Sequence, residues 1–370
     1  MRHMFIRRRL LAVALASGLF AGCAAPSLPL PGDESQLVTK LNAAVSARDQ
    51  SGFMTLTDGE KATGIRGWVW TNLALLGQVT FKAGEDDSLW ADWQLTGDAQ
   101  AVSSRVGSIS CGGNGCQVAD LEPQPGVASP IWLVQPLQVL GSDQAVVLAS
   151  TNSSSGASWV AAAEAAQQAV SGVNLGDLDA SWNGALVVEL PQDASAFAQL
   201  LGIASSADYA STGAVTRVEA ASDSSQDPAA HIVVNPQTTG SLTPDQQTLL
   251  LTHEGVHVAT AGVPVAAGAT WVSEGLAENV AVAGSPSTAT DEQTLAKAAC
   301  SDGLTPPDDA AFGGTDATAQ NAAYAVSQVL VGLIRSHLGP DAMAAISGLW
   351  QGVTPSNVDL PAWSQAWCSG

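Results

Sequence analysis

Residues 243–262 read Thr-Pro-Asp-Gln-Gln-Thr-Leu-Leu-Leu-Thr-His-Glu-Gly-Val-His-Val-Ala-Thr-Ala-Gly. Thr243 is a good N-cap, Pro244 suits the first helical position and Gln246 completes a capping box with Thr243. Leu249, Leu250, Leu251, Val256 and Val258 supply apolar packing, and Gly262 with Pro264 can stop the helix. On that helix His253 and His257 lie one turn apart on one face. Two imidazoles can then reach one metal ion, and Glu254 sits beside the first of them. His-Glu-Gly-Val-His is the H-E-x-x-H pattern of zinc hydrolases. With only five His in 370 residues, chance would produce that spacing on the order of 0.002 times.

A catalytic zinc site needs a third protein ligand and a position left for water. Sixteen residues intervene between His257 and Glu274, which stands in the run Trp271-Val272-Ser273-Glu274-Gly275-Leu276-Ala277-Glu278. This run resembles the second helix of the gluzincin zinc peptidases, roughly W-x-x-E-G-x-A-E. The resemblance implies that Glu274 is the third zinc ligand and that Glu278 supports a ligand histidine from behind. The spacing agrees, because i and i+4 share a helix face and a zinc-bound His usually donates its other N–H to a carboxylate. It also implies a Tyr on a later helix that steadies the oxyanion. Tyr324, on a helix expected over 319–338, is the candidate, with His231 and His337 as alternatives. His231-Ile232-Val233-Val234-Asn235-Pro236 is similar to the edge strand that borders the cleft in such enzymes. No run for gripping a free amino terminus is present, so an aminopeptidase is not implied. The likeness covers about 230–340.

The rest of the chain is read outward from this site. Met1 to Arg9 carries four arginines, and Leu10 to Gly22 is uncharged and apolar or small. A basic start before a short apolar run reads as a secretory signal peptide. Its end, Leu19-Phe20-Ala21-Gly22-Cys23, resembles the bacterial lipoprotein box, which implies a signal at 1–22, a lipidated Cys23, a tether over 23–32 and a place on the outer face of the cell membrane. No later apolar run is expected to cross a membrane. Cys111, Cys116, Cys300 and Cys368 remain, an even number that fits two disulfides in an exported chain. Cys111 and Cys116 would close a glycine-rich loop and Cys300 would pair with Cys368; a zinc site from the close pair lacks a nearby His.

Residues 33–150 read as an α+β unit: helices over 34–48 and 61–76, then strands over 78–82, 88–96, 131–140 and 145–149. That order resembles the cone-shaped nuclear-transport-factor-like fold. Thr151 to Ser158 reads as a linker. A mainly helical unit with a small sheet follows over 159–370, with a helix over 159–170, a strand over 185–190, a helix over 193–201 and strands over 215–220 and 231–235. Net charge is −21, which excludes nucleic acid and docking on anionic lipid, since both need clustered Lys and Arg. Expected, then, is zinc-dependent hydrolysis of a peptide or protein substrate. The alternatives are a cell-surface binding lipoprotein with a vestigial or regulatory site, and a zinc-storage protein with a closed four-ligand site.

Overall fold

The computed structural model describes residues 32–57, 65–95, 97–112, 115–223, 225–313 and 316–370. The expected signal, Cys23 and tether lie outside these residues except for Gly32, which opens the first helix. Three helices come first: α1 (Gly32–Ser46), α2 (Gln50–Leu56) and α3 (Arg66–Leu73). The second was not expected; Asp49 caps it by accepting from Gly52 N. An antiparallel sheet follows in chain order, β1 (Gln78–Ala83), β2 (Ser88–Gln94), β3 (Val102–Gly112) and β4 (Gly115–Leu121). A disulfide joins Cys111 to Cys116, which are paired across the β3–β4 hairpin.

The expected strand over 131–140 is two pieces. Ile131–Val134 is one buried helical turn, α4, and β5 (Leu137–Ser142) begins after Pro136, whose missing N–H interrupts any ladder. β5 pairs with β6 (Ala145–Ser150), and β6 then runs parallel to β7 (Leu186–Leu190), connected through α5 (Gly156–Ser171). After α6 (Ala194–Leu201) come β8 (Ala214–Glu219) and β9 (Ala229–Val234), giving the sheet order β5-β6-β7-β9-β8. Strand pairing therefore carries 137–150 into the second sheet rather than the first unit, and α5 starts inside the stretch read as a linker. It also corrects the edge assignment. β9, which holds His231, is interior between β7 and β8, and β8 is the terminal strand.

Alternate side chains of this sheet feed two cores. Val147, Val188, Ala214 and Ile232 pack with α5. Val146, Val187, Val215 and Val233 join Trp93, Phe81 and Leu41 of the first unit. One core thus runs through both units.

The chain closes in helices: α7 (Pro236–Thr239), α8 (Pro244–Ala259), α9 (Thr270–Ala283), α10 (Pro286–Ala298), α11 (Asp309–Gly313), α12 (Ala317–Leu338), α13 (Ala342–Trp350) and α14 (Leu360–Ser369). Residues 317–350 reach membrane-spanning length and hydropathy, contrary to expectation. The stretch breaks at Gly339, and α12 buries Tyr324, Leu330, Val331 and Ile334 in the helical core. Gly275 of α9 meets α12 so closely that a Cβ there would stand 2.3 Å from the Ser327 carbonyl. Cys300–Cys368 ties α14 to the segment after α10.

Candidate metal centre

The capping box at Thr243 and Gln246 forms as expected and starts α8. Gly255 lets that helix press on Val170 of α5 and Leu186 of β7. His253 and His257 then face α9, where Glu274 and Glu278 point back. Nε2 of His253 and Nε2 of His257 are each 3.3 Å from Glu274 Oε2 and 3.1 Å from each other. Zinc bonded at about 2.0–2.2 Å to tetrahedral N and O ligands sets its donors about 3.3–3.6 Å apart. The donor set of His253, His257 and Glu274 fits one zinc ion, with both histidine–carboxylate distances at 3.3 Å inside that range and the His253–His257 distance of 3.1 Å just below it.

The surrounding groups hold these donors. Nδ1 of His253 lies 3.1 Å from Glu278 Oε1, and Nδ1 of His257 lies 3.4 Å from Ser273 Oγ. Thr216 of β8 donates to Glu254 Oε2 at 2.6 Å, so the terminal strand fixes the carboxylate beside the two histidines. When no cation is bound, burial opposes charge on His253, but Glu278 and then Glu274 push its pKa up to about 10. Glu292 of α10 stands behind Glu278. Burial first, then the charge of Glu278 and a hydrogen bond to it, push Glu292 up to about 10. The line His253–Glu278–Glu292 thus extends the support by one group that sequence reasoning missed. Thr216 was missed as well. Neither has a local signal, because each is brought in by another element.

The expected site residues meet unevenly. His253, Glu254, His257, Glu274 and Glu278 come together and are at most 3 % exposed. Tyr324 joins them: its ring centre is 6.1 Å from that of His253 and it is buried against Phe312. His337 does not. It lies 13 residues further along α12, about 20 Å along the axis, stacked on Trp363. His231 does not either. It faces the other side of the sheet, with Nε2 2.8 Å from Asp98 Oδ1 and Nδ1 3.1 Å from Glu189 Oε1.

Compared with known family models, curated proteins and solved structures, the chain matches none.

Proposed function

We propose that this chain is a zinc-dependent peptide hydrolase of the gluzincin type, exported and lipid-anchored through Cys23. One observation carries the reading: two His Nε2 atoms and one Glu oxygen converge at 3.1–3.3 Å with Glu254 beside them. The two disulfides are in keeping with an oxidising compartment. The first unit, with helices before an antiparallel meander, is in keeping with a nuclear-transport-factor-like accessory domain.

A bound zinc ion would supply Lewis acidity, polarising a scissile carbonyl and acidifying water. His253, His257 and Glu274 would hold it with a single protein charge, which would leave the site net positive and suited to a developing oxyanion. Glu254 takes a proton from the attacking water and passes it to the leaving nitrogen. Thr216 holds that carboxylate by donating to Oε2. Tyr324 donates to the oxyanion. β8, as the terminal strand, takes the extended substrate backbone by strand addition.

Burial of all five central residues favours a second reading, a binding lipoprotein whose closed metal site does no hydrolysis. Turnover separates the two. Glu254→Gln is expected to keep zinc and to lose cleavage of a fluorogenic peptide library that the parent cleaves. A parent that binds zinc and cleaves nothing, or a variant as active as the parent, would overturn the hydrolase.

A further inference from the structure

The alternation of β8 sends Thr216 toward the metal centre and Val215 and Arg217 to the opposite face of the sheet. There the strand closes a cavity of about 390 Å³ against the first unit. Its walls are mostly apolar, with Trp90, Leu201, Tyr209 and Val215 among them, and two guanidinium groups, Arg105 and Arg217, also line it. That is the size and make-up of a small-molecule site: an apolar hollow of about 300–1,000 Å³ with a few converging polar groups.

The two arginines differ from ordinary surface cations. Arg217 is 7 % exposed. One terminal nitrogen donates to the carbonyls of Ser129 and Leu200 and the other reaches Glu189 and Glu219, yet its buried Nε has no acceptor. Nε of Arg105 is buried without an acceptor as well, and among the described residues Arg105 makes no ion pair. A buried donor left unpaired is costly, and this happens in a chain with 34 acidic residues against 13 basic ones. Acceptors are plentiful, but among the described residues none is supplied to these two N–H groups.

The geometry points to a binding site for an aliphatic monocarboxylic acid, whose chain fills the hollow and whose carboxylate accepts from Arg105 and Arg217. Glu219 also lines the cavity, so a doubly charged headgroup such as a phosphate monoester is disfavoured by like-charge repulsion. The site lies across the sheet from His253 and does not depend on the hydrolase reading.

Calorimetric titration of the intact protein with decanoate, and separately with decanol, tests this. Expected are one decanoate per chain, decanol at least about tenfold weaker because it offers no charge-assisted acceptor, and a similar loss of decanoate affinity in Arg105→Gln. Glu254→Gln is expected to bind decanoate like the parent. Circular dichroism on Arg105→Gln checks its fold, and the decanoate–decanol comparison needs no variant at all. Equal affinity for acid and alcohol, an unchanged affinity in a folded Arg105→Gln, or no saturable binding up to about 1 mM would each overturn the proposal.

Discussion

Thr216 and Glu278 act on Glu254 and His253 in the same way, each fixing one side chain from a neighbouring element. Thr216→Val removes the donor to Glu254 Oε2 while keeping the shape. Zinc content should stay that of the parent and kcat should fall by about 10-fold or more, the usual effect of losing such a partner; Thr216→Ser should restore it. An unchanged kcat in the Val variant would remove Thr216 from the account. At this scale the meeting of His253, Glu254, His257, Glu274 and Glu278 was legible, because a single helical turn separates His253 from His257 and Glu274 from Glu278. Thr216 was not, since it lies 38 residues from Glu254. His231 was misjudged for a similar reason. Its partners Asp98 and Glu189 are 133 and 42 residues away, and only the fold reveals that they enclose it.

Among the elements, α9 depends on Gly275. A methyl group there would meet the backbone of α12 and push the two helices apart. Gly275→Ala is therefore expected to destabilise the protein by about 1–3 kcal/mol, and to weaken zinc binding because Glu274 and Glu278 flank the contact. Denaturant melts and metal titration of the variant check both; a stability equal to the parent's would show that the contact is slack. Helices α5, α6, α8 and α12 were legible, α5 from its run of alanines and α8 from its capping box and apolar residues. β3 and β4 were not. The run Val102-Ser103-Ser104-Arg105-Val106-Gly107-Ser108 is more than half serine and glycine, and a register shift at Ser108/Ile109 breaks its alternation. Pairing with β2, not composition, makes β3 a strand. The edge position was misplaced because strand order is a property of the sheet: β8 precedes β9 in the chain but lies outside it.

Across the molecule, the shared core and the ionic cluster beneath the second sheet hold the two units together. His231 meets a carboxylate at each ring nitrogen, and an imidazole that donates from both is charged. Burial opposes that charge, but Asp98 and Glu189 hold its pKa well above 6.5. Glu219 in the same cluster is also raised, first by burial. The folded chain therefore keeps a proton at His231 that the unfolded chain releases near pH 6.5. Stability is full below that pH and falls as pH rises toward the folded pKa, by up to about 1.4 kcal/mol per pH unit. Denaturation midpoints between about pH 6 and 9 should decline in the parent and decline less steeply in His231→Gln. Parallel slopes would mean that His231 is neutral in the fold. The boundary drawn at residue 150 failed at this scale, since β5 and β6 carry no local mark of which sheet they join.

The proposed zinc site is most directly tested by metal content. Mass spectrometry of the purified protein, beside Glu274→Ala, should find about one zinc per chain in the parent and much less in the variant, as expected of a site with three protein ligands. A parent that retains no zinc after incubation with excess metal, or a variant that retains as much as the parent, would contradict the His253–His257–Glu274 centre.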